Sequence, residues 1–377
     1  MIPVVPFEER NMKKILVVFG TRPEAIKLCP LVLELKKEPR FRTLVCVTGQ
    51  HRQMLDQMLH VFGVTPDYDL AVMKNKQTLF DMTTDVLCGM KEILQQEMPD
   101  VVLVHGDTTT SFAAALAAFY LNIPVGHVEA GLRTYDLRSP FPEEFNRQCV
   151  DLLSEYDFAP TQTAKDNLLR AGKPENRIFV TGNTVIDALK ITTEMPCTNN
   201  PVLDLAENDR LVLLTAHRRE NLGQPLYNIF RGIRRVLAEH PEVKLVYPVH
   251  LNPQVRTAAA ELLGDCSQIQ LLEPMGVVDF HHLMNRSWLI LTDSGGIQEE
   301  ASALGKPVLV LRNTTERPEG ISSGNLKLIG TSEDAVYREF SELLTNEERY
   351  LSMCQVKNPY GDGNACHQII QVLKDRL

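Results

Sequence analysis

KILVVFGTRPEAIK, residues Lys14–Lys27, decides the fold. An unbroken apolar run is what a parallel strand buried on both faces requires, and this one stops at Gly20. Thr21 and Glu24 then have the T-x-x-E spacing of a capping box, and Pro23 suits a first helical turn, so a helix begins at once. Strand, tight turn and helix in succession are the start of a βαβ unit. Local structure accounts for Thr21, Pro23 and Glu24 but not for Arg22 and Lys27. A helix start offers free N–H groups and a positive dipole end, so two cations beside it can hold an anion. The structural alternative is a pair of solvated surface cations.

The same alternation runs outward along the chain. TLVCVT, DVVLVHGD, IPVGHVE and RIFVTGN read as further strands, with AIKLCPLVLELKK, TTSFAAALAAFYL and PEEFNRQCVDLL as crossover helices. EMPCTNNPVLDLAEND is rich in turn residues and reads as a linker or surface loop. The pattern then restarts with RLVLLTAH, VKLVYPVH, IQLLEP, WLILTDSGG and PVLVLR. This predicts an α/β protein of two Rossmann-like doubly wound domains, 12–183 and 184–359. Residues 1–11 form an extension without the pattern of a secretory signal, and the C-terminal helix within 360–377 is expected to rejoin the first domain. Nearly every strand ends in a polar or glycine cluster, which suggests a ligand cleft between the domains.

Bulk properties remove other classes. A net charge of -9 argues against nucleic acid as a partner, and apolar runs of strand length predict no membrane span. The 8 cysteines form no CxxC and mostly sit in apolar patterns, so they are expected to be reduced core residues of a cytoplasmic protein. No Cys/His cluster predicts a metal, and no GxGxxG follows the first strand, so no nicotinamide cofactor is expected.

Three groups of residues carry candidate chemistry. Asp107, Glu129 and Glu143 bring carboxylates to the ends of first-domain strands and to a helix start, an arrangement suited to acid/base work. Asp107 has a structural alternative as a helix cap, and Glu143 has one as an i,i+4 partner of Arg147. In the second domain His217 and His250 end successive strands, where a histidine can donate to a phosphate or a leaving oxygen. Ser294-Gly295-Gly296 opens a helix as an anion cup, and Glu300 could accept from two ribose hydroxyls. Capping by Asp293 or Ser294 is the structural alternative there.

Together GTRPEAIK, TGQHRQMLDQ, HGDTTT, GHVEAGLRT, PEEFNR, TGNTVIDAL, TAHRREN, YPVHLNP, DSGGIQEE, TTERPE and NPYGDG resemble the non-hydrolysing UDP-N-acetylglucosamine 2-epimerases, in that family's order from about residue 12 to the C-terminus. The resemblance implies the type B glycosyltransferase arrangement, a homodimer, no cofactor, and interconversion of UDP-GlcNAc and UDP-ManNAc. It implies that Arg22, Lys27 and His217 lie near the diphosphate and its leaving oxygen. Asp107, Glu129 and Glu143 would be the acid/base carboxylates, with Arg147 beside them. Ser294, Gly295, Gly296, Glu300, His250 and Arg312 would face the nucleotide. Some family members also bind UDP-GlcNAc at a second, activating site. Gln50, His51 and Gln53 match residues of that site, whereas Lys76 stands where the family usually has Arg. Lys keeps the charge and loses the planar fork.

Elementary chemistry limits the route. The C2 proton of a sugar has a pKa of roughly 30 against about 4 for a carboxylic acid, a mismatch on the order of 35 kcal/mol. Enzymes recover about 8–23 kcal/mol of barrier, so direct deprotonation fails. Oxidation at C3 would need a nicotinamide. Departure of UDP from C1 makes the C2 proton labile, with 2-acetamidoglucal as intermediate, and this elimination–addition route is the one the resemblance implies. The competing functions are a hydrolysing epimerase, a type B glycosyltransferase and a non-catalytic UDP-sugar sensor.

Overall fold

The computed structural model describes residues 12–49, 52–74, 77–197, 209–315 and 317–377, the side chains of 52 and 53 excepted. It divides into two compact units, Met1–Ala188 with Tyr360–Leu377 and Leu189–Pro359.

The first unit runs β1 (Lys13–Phe19), α1 (Arg22–Lys37), β2 (Phe41–Val47), α2 (Arg52–Phe62), β3 (Tyr68–Asp69), α3 (Leu79–Glu97), β4 (Val101–His105), α4 (Thr109–Tyr120), β5 (Val125–Val128), α5 (Glu143–Leu153), β6 (Tyr156–Ala159), α6 (Gln162–Arg170), β7 (Ile178–Val180) and α7 (Thr184–Glu194). Its seven strands pair in the order β3-β2-β1-β4-β5-β6-β7, all parallel. The division between the units falls within α7.

The second unit continues with β8 (Arg210–Thr215), α8 (Gln224–Glu239), β9 (Val243–Pro248), α9 (Pro253–Leu263), β10 (Ile269–Leu272), α10 (Val277–Arg286), β11 (Leu289–Thr292), α11 (Gly295–Ala303), β12 (Val308–Val310), α12 (Pro318–Ser323), β13 (Leu326–Leu328), α13 (Glu333–Thr345) and α14 (Glu347–Cys354). Its six parallel strands pair as β10-β9-β8-β11-β12-β13. Helix α15 (Ala365–Arg376) closes the chain on the first unit, where Asp187 accepts from the backbone N–H groups of Ala365 (3.2 Å) and Cys366 (3.0 Å).

Burial follows the sequence pattern. Ile15, Leu16, Val17, Val18 and Phe19 of β1 are 0% exposed, as a strand covered on both faces demands. Each sheet reverses direction once, between β1 and β4 and between β8 and β11. Ligands of open α/β sheets bind outside the carboxyl ends of the strands at such switch points. The Lys14–Lys27 stretch and the HGD segment meet at the first switch point, and TAH and TDSGG meet at the second.

The cysteines depart from expectation. None of the eight is in a disulfide, but only Cys29, Cys46 and Cys366 are buried; Cys88 is exposed and the other four are half-buried. Local apolarity misleads here because Cys88, for example, lies on the outer side of amphipathic α3.

Candidate active site

The turn after β1 is built as the sequence predicts. Thr21 caps α1 by accepting from the Glu24 N–H, and Glu24 reaches back to complete the capping box. Gly20 is required by space: an added Cβ would lie 2.0 Å from Thr48 Oγ1 and 2.6 Å from Thr110 Oγ1. Glu24 does more than cap. Its buried carboxylate accepts from Thr21 N (2.8 Å), Gly20 N (3.0 Å), Thr108 Oγ1 (2.6 Å) and Ser111 Oγ (3.1 Å). Glu24 therefore ties the start of α1 to the start of α4, and hence Lys27 to the neighbourhood of Asp107. The capping-box pattern predicts the first half of this role; nothing local predicts the second.

Glu129 is the centre of the first cluster. It follows β5 directly and has φ 66°, a left-handed conformation that costs a non-glycine residue on the order of 1 kcal/mol. Its Oε2 pairs with Lys27 Nζ, accepts from Asn183 Nδ2 at 2.9 Å and lies 3.4 Å from His105 Nε2. Burial pushes this carboxyl up, but the Lys27 ammonium and His105 outweigh burial and hold it well below the usual carboxylate range. Glu129 is thus an ionised acceptor at neutral pH. His105 and Asn183 lie in the HGD and TGN motifs, yet neither stands out in the sequence. Both are placed by strand ends: His105 ends β4 and Asn183 precedes α7.

Asp107 forms the second cluster. Its carboxylate pairs with Arg147, and its carbonyl accepts from Asn146 Nδ2 at 2.9 Å. It does not cap α4; Thr108 does, accepting from Ser111 N at 3.1 Å. Arg147 also lies 3.4 Å from Glu144, so its acidic neighbours are Asp107 and Glu144 rather than the i,i+4 residue Glu143. The buried Nε of Arg147 has no hydrogen-bond partner among the described residues. Half-buried Glu143 opens α5 with no side-chain ion pair or hydrogen bond among the described residues. Arg22 is half-buried at the first position of α1.

The second unit has a different construction. Asp293, fully buried after β11, accepts from the backbone N–H groups of His217 and Arg218 (2.8 Å each) and from Asn221 Nδ2 (3.0 Å). It thereby braces the turn after β8 instead of capping α11. Ser294 occupies the N-cap position, but its side chain makes no cap hydrogen bond. An added Cβ at Gly296 would meet nothing within 4 Å, so neither packing nor a left-handed backbone calls for glycine there. Bare backbone opening a helix is what close approach of an anion requires.

His217 and His250, at equivalent places after neighbouring strands, stack with ring centroids 4.9 Å apart and planes 10° apart. Burial draws His217 below its ordinary value; His250 and Arg218 act in the same direction and Asp293 opposes them. His250 Nδ1 accepts from Asn252 N at 3.1 Å, which leaves Nε2 as the outward nitrogen. Glu300 lies 3.6 Å from His281 Nε2, whose Nδ1 contacts Thr192 Oγ1 at 2.6 Å. Buried Arg312 donates to Glu220 at 2.7 Å. Gln50, His51 and Lys76 lie outside the described residues, as does the side chain of Gln53.

Two parallel, doubly wound α/β units, each with polar strand ends at its switch point, define a Rossmann-like protein whose structural relatives share the type B glycosyltransferase-like fold. The UDP-N-acetylglucosamine 2-epimerase family matches residues 33–374. The chain is 56% identical to the UDP-N-acetylglucosamine 2-epimerase of Bacillus subtilis, across 96% of this chain and 94% of that protein. A Listeria monocytogenes crystal structure described under the same family name is 51% identical, with TM-score 0.92 over 97% of this chain and 96% of its own. The Neisseria meningitidis UDP-GlcNAc 2-epimerase, solved bound to UDP-GlcNAc, is 47% identical with TM-score 0.87, covering 96% of this chain and 100% of its own. The chain belongs to the UDP-N-acetylglucosamine 2-epimerase family.

Proposed function

We propose that this protein interconverts UDP-GlcNAc and UDP-ManNAc without hydrolysis, by eliminating UDP and adding it back. The observation that carries the reading is Glu129: an ionised carboxylate on a left-handed backbone after β5, paired with Lys27, bonded by Asn183 and 3.4 Å from His105. In the forward direction a carboxylate takes the C2 proton. The C–H electron pair becomes the C1=C2 bond of 2-acetamidoglucal, and the C1–O electron pair leaves on the β-phosphate of UDP. A proton then reaches C2 from the opposite face and the phosphate oxygen returns to C1.

Glu129 fits the base, since its partners keep it ionised. Glu143, unpaired among the described residues, is assigned the opposite proton transfer, and Asp107 with Arg147 is assigned to the reacting end of the sugar. The strand ends of the second unit suit UDP: Ser294, Gly295 and Gly296 for the diphosphate, Glu300 for the ribose, and His217 for charge developing on the leaving oxygen. Product analysis tests the reading. UDP-ManNAc with traces of UDP and 2-acetamidoglucal supports it, whereas free ManNAc with accumulating UDP means hydrolysis. Unimpaired C2 exchange in all three amide variants of Asp107, Glu129 and Glu143 contradicts the assigned roles.

The same reading includes a cytoplasmic homodimer that supplies ManNAc units for surface polysaccharide. No helix among the described residues is long and apolar enough to cross a membrane. Exposed Phe119 and Tyr120 on α4 and exposed Phe145 and Leu152 on α5 suit a subunit interface, and light scattering at micromolar concentration tests it. A second, activating UDP-GlcNAc site at Gln50, His51, Gln53 and Lys76 predicts sigmoidal kinetics with UDP-GlcNAc as substrate and, with UDP-ManNAc as substrate, a lag that added UDP-GlcNAc abolishes.

A further inference from the structure

Behind Asp107 and Glu129 lies a group of charges that the reaction above does not use. His127, on β5 two residues before Glu129, is 0% exposed. Its Nδ1 is 2.6 Å from Asp151 Oδ1 and its Nε2 is 2.7 Å from the Gly106 carbonyl. A carbonyl oxygen can only accept. Asp151 Oδ2 also lies 2.6 Å from Arg133 Nη1; burial pushes the Asp151 carboxyl up, but His127 and the Arg133 charge outweigh burial and hold it below its usual range, so it is ionised and likewise accepts. A neutral imidazole would leave one of these short contacts as two facing lone pairs. Both ring nitrogens must carry protons, which makes His127 an imidazolium sealed inside the domain.

The surroundings supply the compensation that a buried cation needs. Asp157 of β6 lies beside Asp151, and a ring nitrogen of His127 and carboxylate oxygens of Asp151 and Asp157 lie within 4.8 Å of one another. Such spacing would suit a metal ion, but Lys173 Nζ sits 3.1 Å from Asp157 Oδ2 and Arg133 holds Asp151. The positive charge is therefore built from side chains. Lys173 is itself anchored by the Ser154 carbonyl at 2.6 Å.

This network grips one particular turn. Helix α5 reaches the Gly106-Asp107 segment at three points: Asn146 on the Asp107 carbonyl, Arg147 on the Asp107 carboxylate, and Asp151, acting through His127, on the Gly106 carbonyl. Gly106 has φ 62°, and its N–H donates to Val128 O at 2.9 Å. The turn carrying Asp107 is thus fixed to the strand carrying Glu129 through both backbone groups of Gly106.

We propose that His127 is a positioning residue for the reaction: clamped as an imidazolium between Asp151 and the Gly106 carbonyl, it sets Asp107 in register with Glu129. It touches no substrate. The inference rests on the proposed roles of Asp107 and Glu129, and its consequences are separable from theirs. Misplacing a catalytic group by about 1 Å costs on the order of 100-fold in rate, so H127N and D151N should each lower kcat about 10- to 100-fold. KM for UDP-GlcNAc and affinity for UDP should stay within about twofold, because the groups assigned to UDP lie elsewhere.

The deciding experiment combines histidine-selective 15N NMR of the full chain with kinetics of the two variants, normalised to folded protein by near-UV circular dichroism. The expected result is a His127 ring with both nitrogens protonated at neutral pH, together with the kcat loss at constant KM. A folded H127N with unchanged kcat overturns the proposal, as does a neutral His127 ring. If H127N fails to fold, the wild-type spectrum and D151N still decide. If wild-type protein does not epimerise UDP-GlcNAc, the proposed function fails, while the ring protonation remains measurable and is judged by itself.

Discussion

The two units share a parallel sheet and a switch point, yet their strand ends are built in opposite ways. In the first unit two of the three candidate carboxylates are matched with cations, Glu129 with Lys27 and Asp107 with Arg147, while Glu143 has no such partner among the described residues. In the second unit the carboxylate at the switch point, Asp293, faces inward onto backbone N–H groups. What is left at the surface there is a bare glycine, a serine released from capping and two stacked imidazoles. The first arrangement suits control of where protons reside. The second offers donors and space to an anion. In the proposed reading one fold serves acid/base chemistry in one unit and nucleotide recognition in the other, through the residues that follow the strands.

The largest expected effect separates the units most sharply. Glu129→Gln should lower kcat about 10²- to 10⁴-fold, the usual range for a general base, and leave the UDP dissociation constant within about twofold. Calorimetric UDP titration beside kinetics checks it; a large loss of UDP affinity would mean that the division of labour is wrong. Glu300→Gln should do the converse, weakening UDP binding about 10-fold through lost charge-assisted hydrogen bonds, with kcat at saturation little changed.

A smaller effect concerns pH. His217 sits below its ordinary value in the free protein, chiefly through burial; a diphosphate bound beside it, as proposed, would raise it. Binding therefore takes up a proton between the depressed free value and the raised bound value. UDP affinity should rise several-fold as pH falls from about 8 to about 6. UDP titrates in the same range, so His217→Asn is the control, and its pH profile should be flatter. A profile identical to wild type would remove His217 from the diphosphate. The smallest effect is structural: Thr21→Ala should cost about 1 kcal/mol in denaturant unfolding, with Lys27 still able to pair with Glu129.

The sheet was legible because parallel strands covered on both faces read as continuous apolar runs, and ten of them are visible in the sequence. The remaining strands are short: β3 is Tyr68–Asp69 and β13 is Leu326–Leu328. β6 is interrupted by Asp157, whose charge is answered by Lys173 from beyond the next helix, a pairing no local pattern carries. The strand-end motifs located both clusters, since residues just past parallel strands share one edge of the sheet. The partners were not legible. Lys27 was expected near phosphate and here pairs with Glu129; His105 and Asn183 join it from distant segments; Asp293 turned from a cap into a brace. Spacing along the chain reports neighbours on one element, whereas these contacts arise between elements.

The most direct measurement is proton NMR of UDP-GlcNAc incubated with the purified protein in D2O without added cofactor. The account predicts UDP-ManNAc carrying deuterium at C2, with traces of UDP and 2-acetamidoglucal. UDP-ManNAc that keeps its C2 proton, or no conversion despite demonstrated UDP-GlcNAc binding, would contradict it.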